Sequence, residues 1–164
     1  MKNDSALFFT CSLIEFIARQ QKLSVQKVAA AIGKKGIKRV YDYADVLHCE
    51  NIASVADRIV RQYAIPVGQS DNTAGCLWDV PDYWTIGEVF SRLIEDAIGD
   101  AVEDEAGGES TAAGEEAADE RIRVLMEVYA SFMAGAIENY NSDLFYQSRQ
   151  YIAQCYKAGE ILDE

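Results

Sequence analysis

The sequence predicts an all-α fold, with an N-terminal four-helix unit, C-terminal helices packed on it and an irregular aromatic loop between them. Apolar residues recur at steps of three and four along most of the chain, the spacing of an amphipathic helix. Small polar residues and glycines punctuate these stretches where helix caps are expected. Both prolines, Pro66 and Pro81, fall in one segment without this period. With 164 residues, of which 49% are hydrophobic, the chain can bury a sizeable core.

The N-terminal unit, residues 1–65, contains four predicted helices at 5–20, 24–33, 37–48 and 51–63. The apolar start of the chain raises the question of an export signal, but Leu7, Cys11, Ile14 and Ile17 lie at helical spacing and no cleavage site follows, so we expect a core helix. In the second helix, Ser24 is the predicted N-cap and Gly33 the predicted C-cap.

The middle of the chain divides into three predicted segments. Residues 66–84 form the aromatic loop, because no period persists there. Residues 85–98 form a helix, with Thr85 as N-cap and Glu88 three positions later, the spacing of a capping box. Residues 99–118 are acidic and small, and too poor in apolar groups to offset their ordering entropy, so we expect a flexible linker.

Residues 119–164 are predicted to form a C-terminal helical hairpin. The apolar positions of its first helix run at steps of three and four: Ile122, Leu125, Tyr129, Phe132, Ala136 and Tyr140. Ser131 and Gly135 form a pair of small residues one turn apart, which permits close approach by another helix. The second helix spans residues 145–162, with Gly159 as a C-cap.

The charge of the chain is strongly acidic and unevenly distributed. Fifteen basic and 27 acidic residues give a net charge of −12. Nucleic acid and anionic membranes are therefore disfavoured as partners. Residues 16–41 hold seven bases and no acid, whereas residues 93–120 hold eleven acids and no base. Each segment could attract a partner, including the other segment of the same chain.

The sequence also indicates in which cellular compartment the protein is found. No stretch approaches the about 20 apolar residues that a membrane span needs. The four cysteines are far apart, without a C-x-x-C pair or companion histidines, so neither a disulfide framework nor a zinc site is indicated. We therefore expect a cytoplasmic protein without metal or cofactor.

The segment 24–43 invites comparison with a DNA-reading helix-turn-helix. Val28, Ile32 and Gly33 fit its first helix and turn, but Lys34 stands where the motif buries an apolar residue. Lysines also suit phosphates better than base edges. We prefer a helical hairpin with solvated lysines, and keep a DNA-binding regulator as the alternative. The candidate anion or nucleic-acid contacts are Lys34, Lys35, Lys38 and Arg39.

His48 is the only histidine, with Asp45 one turn before it and Cys49 beside it. Neighbouring residues on a helix diverge by about 100°, so Cys49 and His48 are poorly placed to share a proton. A structural hydrogen bond between Asp45 and His48 is the preferred interpretation. No nucleotide-binding or metalloprotease motif is present. The sequence therefore predicts no catalytic residue, and an enzyme using Asp45 and His48 ranks last.

Aromatic residues cluster in the stretch "CLWDVPDYW", which contains Trp78, Tyr83 and Trp84. One interpretation is that they fill the core from a loop, and this is the one we favour. The other is that they anchor a protein partner, because aromatic residues are enriched at binding hot spots. Under this second interpretation the candidate protein contacts are Trp78, Tyr83, Trp84, Tyr41 and His48.

The first 63 residues combine an aromatic-rich first helix, a block with Tyr41, Tyr43, Asp45, Leu47 and His48, and a final amphipathic helix. In this combination they resemble a family of short bacterial proteins known as a domain of unknown function. Members of that family are thought to lie near ADP-ribosyltransferase-like genes, so the resemblance implies an accessory or antitoxin-like role. We predict a non-enzymatic protein-interaction module with a protein partner, a homo-oligomer being a further option.

Overall fold

The computed structural model describes residues 2–102 and 111–163, and this part of the chain is all-helical, as predicted. A 3₁₀ turn, Leu144–Tyr146, separates the last two helices. The helices within these ranges are α1 (Lys2–Gln21), α2 (Val25–Asp42), α3 (Ala44–Leu47), α4 (Ile52–Gln62), α5 (Tyr83–Val102), α6 (Thr111–Ala130), α7 (Phe132–Glu138) and α8 (Arg149–Ala158).

Four long helices surround the centre of the molecule. Helix α1 packs against α2 and α5, and α6 packs against the same two helices. Helices α3 and α4 lie on α1, and α8 lies on α5. The buried apolar side chains form one cluster that runs from Ala6 to Cys155. The N-terminal and C-terminal helices therefore share a single core.

Helices α1 and α5 approach each other closely where Gly87 of α5 meets Ser12 of α1. A Cβ atom at Gly87 would lie 2.7 Å from the Ser12 Cα, nearer than real Cβ atoms come to backbone. The close approach that Ser131 and Gly135 would permit is not used at Gly135, where an added Cβ would meet nothing within 4 Å among the described residues. Ser131 is instead the N-cap of α7, its hydroxyl accepting from the Met133 N–H at 3.2 Å.

The N-terminal predictions need one correction. The predicted helices 24–33 and 37–48 are replaced by α2, which bends at Gly33, and the short α3. Gly33 has φ +78°, a backbone conformation that favours glycine. Helix resumes after the bend because Ile37 and Val40 are buried in the core. The Ser24 cap is confirmed, since its hydroxyl accepts from the Lys27 N–H at 3.2 Å.

The boundaries of α5 and α6 also differ from prediction. Helix α5 begins at Tyr83, two residues before the predicted cap Thr85. The cap is the Asp82 carboxylate, which accepts a hydrogen bond from the Thr85 N–H at 2.7 Å. Helix α5 continues to Val102 and α6 starts at Thr111, so the described parts of the predicted linker 99–118 are helical. The expected flexibility of residues 103–110 concerns residues outside the described ranges.

The C-terminal hairpin is more broken than its periodicity suggests. Ser131 interrupts the predicted first helix, so Phe132 starts α7 and is 42% exposed instead of buried. The last helix is α8, shorter than the predicted 145–162 because the Ser148 hydroxyl caps it at the Tyr151 N–H. Gly159 ends it in the left-handed conformation, with φ +75°, which confirms the predicted C-cap.

Candidate functional site

Residues 66–82, which we call the aromatic arm, connect α4 to α5 and are fastened to the helical body. Near its start, the Gly68 N–H donates to the Gln21 carbonyl at 2.7 Å. Further along, the Asn72 side-chain amide donates to the Glu138 carbonyl at 2.6 Å. The arm therefore follows a defined path across α1 and α7 although it contains no helix.

Asn141 holds the tip of the arm against the turn between α7 and the 3₁₀ turn. Its side-chain oxygen accepts from the Leu77 N–H at 2.7 Å, and its side-chain nitrogen donates to the Gly75 carbonyl at 3.0 Å. The Cys76 thiol also donates to the Trp78 carbonyl at 3.2 Å. These contacts set the backbone of Leu77 and Trp78 next to Asn141.

A cleft of about 690 Å³, which we call the Trp78 cleft, lies between the arm tip and this turn. Its apolar wall is unusually accessible: Leu77 is 79% exposed, Trp78 73% and Tyr146 81%. Asp79 and Asp143 also line it. Burying one such large apolar side chain contributes about 1.5–3 kcal/mol, so the cleft displays surface that a partner would cover favourably.

The floor of the cleft is tied to α1 through Tyr140, which is 3% exposed. The Tyr140 hydroxyl donates to the Glu15 carboxylate. The Arg19 guanidinium lies 3.2 Å from Glu15 and 5.2 Å from the centre of the Tyr140 ring. It also donates to the Pro81 carbonyl at 2.6 Å. Arg19 therefore joins α1, the cleft floor and the end of the aromatic arm.

Two carboxyl groups, Glu15 and Glu138, lie in this buried network. Burial raises the pKa of Glu15, against the lowering effect of hydrogen bonds from Tyr140 and Arg19. Burial, followed by the charge of Glu15, raises the pKa of Glu138 to about 7, although the Val25 N–H donates to its carboxylate at 3.1 Å. Burial also raises the pKa of Tyr140, so its hydroxyl stays protonated at neutral pH.

Sequence reasoning missed this network, although one signal for it was present. Glu15 lies on the same face of α1 as Cys11 and Ala18, which are both buried. A charged residue on the apolar face of a helix needs a buried partner. The pattern cannot identify that partner, because Tyr140 is 125 positions away.

The structure separates the predicted protein contacts. Trp78 lines the cleft, whereas Tyr83 and Trp84 are half-buried and pack on Phe16 and Phe8, with ring centres 5.1 and 5.5 Å apart. Tyr41 is only 6% exposed, which corrects its prediction as a contact. His48 is exposed and lies edge-on to Phe9, far along α1 from the arm. Tyr146 was not predicted from the sequence.

The geometry around His48 offers no nucleophile pair. The Cys49 thiol donates to the backbone carbonyl of Asp45 at 3.5 Å. Burial raises the pKa of the Cys11 thiol to about 12, so this thiol is not a nucleophile at neutral pH. Within residues 2–102 and 111–163, no three potential metal ligands lie together.

The four predicted anion contacts, which we call the basic elbow, lie on α2 after its bend: Lys34, Lys35, Lys38 and Arg39. The Lys38 ammonium is 3.1 Å from Asp42 and 3.9 Å from Asp119 of α6. The hydrogen bond to Asp42 and these negative charges raise the pKa of Lys38. The acidic part of α6 thus lies beside the elbow and neutralises part of its charge, whereas Lys34 and Lys35 are exposed.

Comparisons with protein-family models, curated proteins and solved structures found no match for this chain. The resemblance of the first 63 residues therefore stays a prediction. In the described part of the chain, every helix is too short or too polar to cross a membrane. The Trp78 cleft and the basic elbow are therefore the two surfaces that bear on function.

Proposed function

We propose that the protein is a non-enzymatic protein-interaction module that holds its partner in the Trp78 cleft. One observation carries this proposal: Leu77, Trp78 and Tyr146 are each more than 70% exposed and line the same cleft. Isolated exposed apolar residues are ordinary, but several on one concave surface mark an interaction site. Tryptophan and tyrosine are also the residue types most enriched at binding hot spots.

The charge of the cleft favours a basic protein segment as the occupant. Asp79 and Asp143 line the cleft, and the aromatic arm holds three acids and no base. Lysine or arginine side chains of a partner would be attracted to these carboxylates and to the faces of the aromatic rings. Nucleic acid would be repelled by the same carboxylates, because its backbone is anionic.

The anchoring of the arm supports binding without large rearrangement. Asn141 holds Gly75 and Leu77, and Arg19 holds the Pro81 carbonyl. A surface that is ordered before binding loses less conformational entropy when the partner arrives. The arm can therefore present Trp78 in one arrangement.

For the biological setting we propose an accessory or antitoxin-like component in a bacterial cytoplasm. The support is the resemblance of the first 63 residues to the family of short bacterial proteins. The geometry of the cleft supports only a protein partner. A second copy of the chain is the other partner of interest. A homo-oligomer would bury the cleft against another surface of the same protein.

The first experiment is affinity purification of the tagged full chain from its host after nuclease treatment, with mass spectrometry and light scattering on the eluate. We expect one stoichiometric protein, whose affinity for the purified chain is then measured by calorimetry. Trp78→Ala should weaken binding by about tenfold or more, as loss of a hot spot does. Val67→Ala is the matched control, since Val67 is 73% exposed but lies outside the cleft. Unchanged affinity in Trp78→Ala would refute the proposal.

A DNA-binding regulator acting through residues 24–43 is the second candidate. Its support is that Lys34 and Lys35 are exposed on α2. The ion pairs of Lys38 with Asp42 and Asp119 weaken it, because they leave less positive charge for phosphates.

A further inference from the structure

A second pocket is lined by residues of α2, α3 and α4, including Arg39 of the basic elbow. It shares no lining residue with the Trp78 cleft and has a volume of about 180 Å³. Its apolar wall consists of Val40, Leu47, Val55 and Ile59. Arg39 and Arg58 also line it. We call it the α2–α4 pocket.

One end of the pocket depends on a glycine. The Tyr63 ring packs directly on Gly36, where a Cβ atom would lie 2.7 Å from the hydroxyl oxygen and 2.8 Å from Cζ. The Gln62 side chain donates to the Tyr63 hydroxyl at 3.4 Å. The hydroxyl end of Tyr63 therefore meets α2 at Gly36, and both residues line this end of the pocket.

The two arginines differ in their partners. The Arg58 guanidinium is paired with Glu50 at 2.7 Å. Arg39 is exposed, and among residues 2–102 and 111–163 no carboxylate pairs with it. The neighbouring Lys38 forms ion pairs with Asp42 and Asp119. Within the described ranges, a guanidinium without a carboxylate partner thus lines an apolar pocket.

We infer that the α2–α4 pocket binds a small amphiphilic carboxylate, with its apolar body against Leu47 and Ile59 and its carboxylate on Arg39. A guanidinium matches a carboxylate with two parallel hydrogen bonds, which selects this anion over a neutral polar group. An apolar cavity of about 150 Å³ accommodates benzene, so the volume here suits one aromatic ring or a short alkyl chain. A larger, drug-sized ligand needs a pocket of about 300 Å³ or more.

The apolar wall and Arg39 together select this class of ligand. A phosphate-rich polymer would leave the apolar wall uncovered, and a purely apolar ligand would leave the Arg39 charge without a counter-ion. Ligand binding in this pocket is independent of a protein partner in the Trp78 cleft. Arg39 of the basic elbow, which has no role in the Trp78 cleft, would bind the carboxylate.

The test is a titration of the full chain, with methyl-labelled side chains, by NMR. The probes are benzoate and benzyl alcohol, which share a ring but differ in charge. We expect benzoate to shift the methyl signals of Leu47, Val55 and Ile59, with a Kd of about 1 mM or tighter. Benzyl alcohol should bind about tenfold more weakly, because it lacks the charged hydrogen bonds to Arg39.

Two variants distinguish Arg39 from general attraction to positive charge. Arg39→Gln should bind benzoate no better than benzyl alcohol. Lys35→Gln removes the same charge from an exposed position on α2 that does not line the pocket, and should keep the preference. Equal effects of the two variants, or no shift at the pocket methyls, would overturn the inference. So would shifts there that grow with protein concentration alone, because a second copy would then occupy the pocket.

Discussion

Replacing Glu138 by glutamine should make the protein more stable at neutral and alkaline pH and flatten its pH dependence. The Glu138 carboxylate accepts a hydrogen bond from the Val25 N–H at 3.1 Å, and the side-chain oxygen of glutamine can accept the same bond. The substitution therefore removes the charge and keeps the contact. What changes is the cost of ionising a carboxyl group that is largely buried near Glu15.

The magnitude follows from the two pKa values. Burial and the Glu15 charge raise the pKa of Glu138 from 4.5 to about 7. Because the folded pKa is raised, the folded state binds more protons than the unfolded state between these values, and stability falls as the pH rises through this window. A difference of about 2.5 between the pKa values corresponds to at most about 3 kcal/mol of unfolding free energy, lost by pH 8.

The assay is urea unfolding at pH 5, 6, 7 and 8, followed by circular dichroism. Glu138→Gln should match the wild type near pH 5 and exceed it by up to about 3 kcal/mol at pH 8. The unfolding free energy of the variant should still fall somewhat as the pH rises, because Glu15 also has a raised pKa. Glu116→Gln, at an exposed position on α6, is the control and should leave the pH dependence unchanged. Parallel pH curves for wild type and Glu138→Gln would refute the reasoning.

Three further predictions concern helix contacts and charge. Gly87→Ala should destabilise the protein by about 1–3 kcal/mol, because the new Cβ would meet the backbone of α1. Gly135→Ala, in open space on α7, should stabilise the protein by about 0.5–1 kcal/mol. Thermal unfolding of the two variants distinguishes these effects. Asp82→Ala should cost about 1 kcal/mol in the same assay by removing the α5 N-cap, and an unchanged Tm would contradict that role. In a gel-shift assay at low salt, the protein should not retard random DNA. Retardation that is abolished in the double variant Lys34→Gln, Lys35→Gln would favour the DNA-binding regulator.

Helix caps show how far local reasoning reaches. The predicted Ser24 cap bonds an N–H three residues on, and the predicted Gly159 cap needs only its own backbone freedom. Such interactions lie within one helical turn, so a short stretch of sequence contains all the information they need. Both Asp82 and Thr85 could cap α5, and there the prediction failed. Packing of Tyr83 and Trp84 on α1 accompanies the earlier start, and that contact is not local.

Close contacts between helices were harder to predict. Ser131 and Gly135 have the spacing of a packing motif, yet the tight contact lies at Gly87. Periodicity shows which face of a helix is buried but not which helix covers it. The same limit explains why Tyr41 was misjudged as a contact and Tyr146 was missed. A single sequence contains no signal for the pairing of α1 with α5.

The sequence by itself determined the all-α class, most helix centres and the separation of basic from acidic segments, because these depend on residue type and short-range spacing. Only the tertiary structure decided that the acidic α6 lies beside the basic elbow and that Leu77 meets Asn141, 64 positions away. It also placed Glu15, Arg19 and Tyr140 together beneath the Trp78 cleft. Such contacts form when the shared core closes, and the burial of many side chains at once selects them.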